Sequence, residues 1–277
     1  MTRFSPEWLD LREAADRRAR NSEITNAVAA RFALRDELHI LDLGSGTGSN
    51  LRATAPLLPN RQVWKLVDRD PDLWEVAKTK LSRWADTTTR DGETLHLTKD
   101  GRDITVTFAN ADLAQSTPAL LQDAPHLVTA SAFFDLASEG YIRALAKAVV
   151  MSGAAFYAAL TYNGLRRWTP HRPADNQMVA AFHRHQMQDK GLGPASGPLA
   201  AAHLGDQFRL NGYLVLEGES PWQLERADRM LIDELVRGHA VAVTETGAVD
   251  AKTIVAWVNV SRAAALVGHT DTFAVPA

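Results

Sequence analysis

The 277-residue sequence contains no cysteine. Disulfides and thiolate metal sites are thereby excluded, as is any reaction that needs a cysteine nucleophile. No run of about 18 apolar residues occurs, and the opening MTRFSPEWLDLREAADRRAR lacks the apolar stretch of a secretory leader. The expectation is a cytoplasmic chain that spans no membrane. Nor is there a surplus of positive charge: 30 Lys and Arg stand against 33 Asp and Glu, for a formal net charge of −3. Polyanion binding needs a basic stripe, so this balance argues against nucleic acid as partner. Internal repeats and low-complexity tracts are absent too.

What is present is ordinary globular material, with 45% hydrophobic and 23% charged residues. Disorder is excluded, and the length suits one domain, residues 1–277, enlarged by inserts. Residues 6–34 read as a helix, with Ile24, Val28 and Phe32 at intervals of four. A buried-strand pattern follows over 39–43, then a glycine turn, a helix from about Asn50 to Leu58, a strand 63–68 ending in Asp68, and a helix 71–84. Strand alternating with helix predicts parallel strands joined by right-handed crossovers. Residues 94–108 read as a hairpin turning at Asp100-Gly101, and strands are predicted near 127–130, 154–160, 213–216 and 272–275. Three segments interrupt this rhythm: an N-terminal helical lid over 1–36, an insert over 161–210 with a helical middle near 176–188, and a helical insert over 221–265 before the last strand. The second of these is expected to close over a substrate. Ser220-Pro221-Trp222-Gln223 has the form of a helix-opening box, and a last helix is predicted over 250–265.

Chemistry concentrates in HILDLGSGTGSNLR, where a strand ends and Gly44, Gly46 and Gly48 form the turn into a helix. Glycine admits positive φ and lets a ligand approach the backbone where a Cβ would collide. Asp68 falls at the end of the next strand, 24 positions after Gly44, which is where doubly wound folds place an acid on ribose hydroxyls. A dinucleotide fingerprint wants G-x-G-x-x-G and a phosphate at the helix N-terminus. Here the spacing is G-x-G-x-G, and Asp42 lies in the strand just before it. An acid there repels a pyrophosphate and suits a cationic ligand.

LDLGSGTGSN followed by VDRDPDLWEVAK resembles the first two motifs of the class I S-adenosylmethionine-dependent methyltransferases. The resemblance implies a Rossmann-like α/β fold, a seven-stranded mostly parallel sheet in the order 3-2-1-4-5-7-6 with helices on both faces. It covers about residues 38–160, and the helical look of 221–265 departs from the usual final hairpin. It also implies S-adenosyl-L-methionine as cofactor, with S-adenosyl-L-homocysteine as product. By that resemblance Gly44, Ser45, Gly46 and Asp68 contact the cofactor, Arg69 lies beside adenine, and Asp112 and Leu113 form the motif that meets the adenine amino group. Asp42, Asn50 and Ser131, at the strand ends and the helix start, complete the candidate set. Arg12 and Arg20 are candidates for the methionine carboxylate, with Asp16 as orienting partner; the other reading of this face is solvated i, i+4 pairs.

Methyl transfer is an in-line displacement, so the protein aligns the acceptor and takes a proton where one must leave. The residues predicted to face the acceptor follow the fourth and fifth strands: Phe133, Phe134, Asp135, Tyr162, Asn163, His183, His185, Asp189 and Lys190. Tyr162, His183 and His185 are the candidate catalytic groups, a neutral imidazole being a serviceable base; the other reading makes them packing and surface residues. No carboxylate at ligand spacing marks a metal site. No N-P-P-Y or D-P-P-Y tetrapeptide follows the fourth strand, and without cysteine cytosine C5 methylation fails, so nucleobase acceptors drop behind small molecules methylated on oxygen or nitrogen. The alternatives are a non-catalytic cofactor-binding or assembly subunit, an RNA methyltransferase, an NAD-dependent oxidoreductase, and aminopropyl transfer. Oligomeric state is left open.

Overall fold

The computed structural model describes residues 4–277. The chain opens with helix α1 (Pro6–Ala19), which starts where Ser5 Oγ accepts from the Trp8 amide and Pro6 needs no donor partner. The predicted single helix over 6–34 is in fact two. Arg20 leaves helical geometry, and Asn21 caps α2 (Ser22–Phe32) by accepting from the Glu23 and Ile24 amides at 3.0 and 3.1 Å. An Asn able to satisfy two orphan amides favours a new start over continuation.

Then come β1 (Glu37–Leu43), α3 (Ser49–Thr54), β2 (Arg61–Asp68) and α4 (Pro71–Trp84). A meander β3 (Thr87–Asp91), β4 (Thr94–Lys99) and β5 (Arg102–Asn110) leads to α5 (Leu113–Leu120), β6 (Leu127–Ser131) and α6 (Glu139–Ser152). The second half runs β7 (Ala155–Thr169), α7 (Asp175–Gln186), α8 (Ala200–Leu210), β8 (Tyr213–Glu219), β9 (Trp222–Leu224), α9 (Arg229–Thr246), α10 (Ala251–Val258) and β10 (Ala264–Pro276).

The sheet has ten strands rather than the expected seven, in the order β3-β4-β5-β2-β1-β6-β7-β10-β8, with β9 paired to β10 off that path. Its inner seven, β5-β2-β1-β6-β7-β10-β8, reproduce the order 3-2-1-4-5-7-6 when numbered among themselves. β5, β2, β1, β6 and β7 are mutually parallel, whereas β10 runs antiparallel between β7 and β8. The extra strands are the edge hairpin β3-β4 and the short β9. β3, TTTRD, is exposed along most of its length and shows no apolar face, so no pattern marked it.

Alternation along β1 divides the core. Leu38 and Ile40 pack with Ile24 and Val28 of α2, Leu51 of α3 and Leu81 of α4, while Leu41 and Leu43 pack with Ile142 and Leu145 of α6 and Leu204 and Phe208 of α8. Each such side chain contributes roughly 1.5–3 kcal/mol by leaving water. A third cluster sits over the extended ends of β7 and β10, where α7, α9 and α10 bury Phe182, Leu231, Ile232, Val243 and Trp257 around Trp168 and Val267.

That third cluster corrects two segment boundaries. The 161–210 insert does not begin at Thr161, because β7 continues to Thr169, passing a kink at Leu160 whose φ is +57° and pairing with β10 on both sides of irregular register. Residues 221–265 are not wholly helical. Ser220-Pro221-Trp222-Gln223 opens no helix: Trp222 and Gln223 pair with Val267 and Leu266 of β10. The reciprocal side-chain cap lies slightly later, between Glu225 and Asp228. The last helix ends at Val258, and β10 begins at Ala264 rather than near Thr272. Among the described residues no helix is long and apolar enough to cross a membrane.

Candidate active site

β1 and β2 end side by side, Leu43 in register with Val67. The glycine turn therefore begins beside Asp68. Gly44 and Gly46 take φ of +65° and +52°, a region costly for other L-residues. The Ser45 amide donates to Val67 O at 3.0 Å, and the Gly46 amide donates to Asp68 Oδ2 at 2.8 Å. Asp68 Oδ1 accepts from the Asp70 amide at 3.0 Å. One carboxylate thus pins the glycine turn on one side and the entry to α4 on the other, with lone pairs left on each oxygen.

Above this turn lies a cavity of about 690 Å³, within the range of cofactor and small-molecule sites. Gly44, Ser45, Gly46, Asp68 and Arg69 line it on the β1–β2 side. Asp112 and Leu113 line it at the start of α5, where Asp112 Oδ1 caps the helix by accepting from the Ala114 amide at 3.0 Å. Ser131, Ala132 and Phe133 close it at the end of β6, and Arg12 and Leu9 of α1 cover it. A Cβ on Gly44 would lie 2.8 Å from Phe133 Cδ2, so any side chain there would drive the ring off the turn.

Three of the predicted cofactor residues lie beneath this wall. Asp42 and Asn50 are buried, and Asn50 Nδ2 donates to Asp42 Oδ1 at 2.7 Å and to Thr129 Oγ1 at 3.1 Å. Asp42 Oδ2 is buried without a partner. Burial pushes the Asp42 carboxyl up to about 7, against the pull of Asn50 and the Arg20 charge. Arg20 turns inward, donating to Asn50 Oδ1 at 2.8 Å and to Thr54 Oγ1 and the Tyr157 hydroxyl at 3.3 Å. It supports the turn from below and is not on the cavity wall. Arg12 is on the wall, held by a two-point ion pair with Asp16 at 2.9 and 3.0 Å and stacked 4.9 Å from the Trp222 ring centroid. Asp16 in turn accepts from Trp222 Nε1 at 3.0 Å, so the orienting partner expected from the i, i+4 spacing is present.

The three candidate catalytic groups lie off this cavity. Tyr162 is buried and its hydroxyl meets His183 Nε2 at 2.9 Å, but neither lines the cavity. Burial raises the Tyr162 pKa and lowers that of His183. His185 turns the other way, to Glu245 Oε2 at 2.8 Å. Two residues apart on α7, the imidazoles point to different partners, as helical geometry dictates.

Asp135 does not line the cavity either, but it lies in the segment that does. Its chain neighbours Phe133 and Leu136 form part of the wall. Its carboxyl keeps some accessible surface yet lies deep enough for burial to lift it to about 6, with the charges of Arg12 and Arg166 pulling it down. Lys190, reached by the loop after α7, is also on the wall. Wall residues that sequence reasoning did not single out include Leu9, Thr47, Ser49, Asp70, Pro71 and Leu192.

No protein-family model and no curated protein matches the chain. Solved structures do. A cyclopropane-fatty-acyl-phospholipid synthase-like protein from Lactobacillus casei superposes with a TM-score of 0.51 at 13% identity, covering 95% of this chain and 91% of its own. The YcgJ protein from Bacillus subtilis gives 0.50 at 13% identity over 92% and 99%. A SAM-dependent methyltransferase from Geobacter sulfurreducens, solved with S-adenosyl-L-homocysteine, gives 0.47 at 16% identity over 99% of both chains. Likeness at such identity speaks to the fold. Together with the strand order, the two superpositions at 0.50 and above show a Rossmann-like α/β fold with a largely parallel central sheet.

Proposed function

We propose that the protein transfers a methyl group from S-adenosyl-L-methionine to an oxygen or nitrogen of a small molecule. The observation that carries this reading is the closure of the glycine turn onto the second-strand acid, Gly46 N to Asp68 Oδ2 at 2.8 Å, directly under an open cavity. A nucleoside cofactor fits there: its ribose hydroxyls would meet Asp68, its adenine the edge formed by Arg69, Asp112 and Leu113, and its methionine end Ser45 and the Arg12 side of α1. When bound, the cofactor supplies an electrophilic methyl carbon on sulfonium. The chain's own residues orient it, exclude water with Leu9 and Phe133, and offer Asp135 as a proton acceptor near the wall. The acid Asp42 behind the turn favours a cationic ligand over a pyrophosphate.

Isothermal titration with S-adenosyl-L-methionine, S-adenosyl-L-homocysteine and NAD is expected to show binding of the first two only; binding of NAD alone would overturn the reading. Asp68→Ala is expected to weaken S-adenosyl-L-homocysteine binding by roughly 1–3 kcal/mol, the scale of a hydrogen bond to a charged group together with its desolvation. Unchanged affinity in a folded variant would remove Asp68 from the site.

A further inference from the structure

The extended half of β7 holds a guanidinium that no ion pair within the protein engages. Arg166, on the extended half of β7, stacks 4.3 Å from the Phe182 ring centroid and 5.6 Å from that of Tyr162. Its Nη1 contacts His239 Nδ1 at 3.0 Å, while its Nε is buried with no partner. Among the described residues no carboxylate stands at ion-pair distance from it. The contrast with Arg12 and Arg262 is direct, since those buried guanidinium groups are paired with Asp16 and Asp175. A buried guanidinium without a counter-ion is costly, and a ligand anion relieves that cost.

Asp135 is its nearest candidate partner and does not take the role. Its charge acts on both Arg12 and Arg166, yet it bridges neither. Lys190 on the cavity wall has no carboxylate at ion-pair distance among the described residues. His183, His239 and His269 are all held toward the neutral form, first of all by burial. Trp222 and Tyr162 flank His269 at 5.0 and 6.3 Å, so a run of ring contacts links Trp222, on which Arg12 stacks, to Tyr162, on which Arg166 stacks.

We propose that the acceptor subsite takes a small organic anion, a carboxylate or phosphate whose charged group is bound by Arg166 while a hydrogen-bond donor on the same molecule faces Asp135. This rests on the methyl-transfer reading for the word acceptor, but the binding of the anion does not. A guanidinium fork matches either anion in a bidentate manner, and the ring faces of Phe182 and Tyr162 hold the fork in place.

The test is calorimetric titration of the full chain, with and without saturating S-adenosyl-L-homocysteine, using benzoate, phenyl phosphate, benzyl alcohol and benzylamine as probes. Benzoate or phenyl phosphate is expected to bind at least about tenfold more tightly than the alcohol or the amine, and the better of the two identifies the anion. Arg166→Gln is expected to abolish that preference while nucleoside affinity stays at the wild-type value; Arg167→Gln, an exposed neighbour, is expected to preserve both. Anions that bind no better than benzyl alcohol, or an Arg166→Gln protein with an undiminished preference, would overturn the proposal. Should Arg166→Gln unfold, Asp135→Asn decides: removal of the neighbouring negative charge must tighten benzoate binding several-fold, and unchanged or weaker binding refutes it. Loss of nucleoside binding with anion binding intact would count against the methyl-transfer reading alone.

Discussion

Arg262→Ala is expected to destabilise the fold by about 3–5 kcal/mol, the scale for removing one partner of a buried ion pair. Arg262 is buried in the third cluster, where Nη2 donates to Asp175 Oδ1 at 3.0 Å, Nη1 donates to Pro170 O at 2.6 Å, and the guanidinium stacks 4.9 Å from the Trp257 ring centroid. Asp175 also accepts from Trp257 Nε1 at 2.7 Å and from the Arg172 amide at 2.8 Å. Truncating Arg262 would strand a buried carboxylate and open the space beside Trp257. The pair ties the segment after β7 to the start of β10, two stretches 87 positions apart in sequence. Urea denaturation at pH 7 measures the loss. In the double variant Arg262→Met with Asp175→Leu, only part of the stability should return: the desolvated charge goes with its partner, but the Trp257 Nε1 and Arg172 amide donors lose their acceptor. A single-variant loss below 1 kcal/mol would show that the cluster is held by its apolar contacts alone. Affinity for S-adenosyl-L-homocysteine should be unchanged, since neither residue lies on the cavity wall.

The half of the fold around the glycine turn was legible because its signals are local. Strand, glycine turn, helix, strand and acid follow one another within residues 39–68, and the structure joins the glycine turn to the end of the second strand by the Ser45–Val67 and Gly46–Asp68 hydrogen bonds. Helix α4 was read at its true limits, since Asp70 and Pro71 mark its start with side-chain chemistry. The half beyond Leu160 was poorly legible because its contacts are long-range. β7 looks finished at Leu160, and only its pairing with β10, about a hundred positions later, extends it to Thr169 and carries Arg166 into the interior. The same pairing turns Trp222 and Gln223 into a strand although their sequence has helix-opening form. Spacing could put His183 and His185 near one another but could not show that they face Tyr162 and Glu245. For Asp42 and Asn50 the position in sequence was informative and the depth was not: both are buried behind the cavity wall, while Arg20, half-buried, reaches in to Asn50 from the other side.

That depth gives Asp42 a measurable signature. Its carboxyl is buried with Oδ2 unpartnered, and its pKa rises from the ordinary 3.8 to about 7, chiefly through desolvation. A carboxyl raised on folding binds more protons in the folded than in the unfolded state, so its effect on stability is adverse as pH rises. The adverse contribution starts near pH 4, grows to pH 7 and is constant above. With about 1.4 kcal/mol per pKa unit, it amounts to about 4 kcal/mol at neutral pH. Buried His269, lowered to about 3, acts with the opposite sign, removing stability as pH falls below its ordinary 6.5. The wild-type profile therefore mixes both. Subtraction of the Asp42→Asn profile cancels the histidine part, and the wild type relative to the variant is expected to lose about 4 kcal/mol between pH 4 and pH 7, read from urea midpoints at half-unit steps. A cationic cofactor above the turn favours the ionised form, so affinity for S-adenosyl-L-methionine should rise with pH through the same window in the wild type and stay flat in Asp42→Asn. Parallel stability profiles for the two proteins would mean that Asp42 is ionised at low pH like an exposed aspartate, and that the electrostatic preference of the turn for a cation has another source.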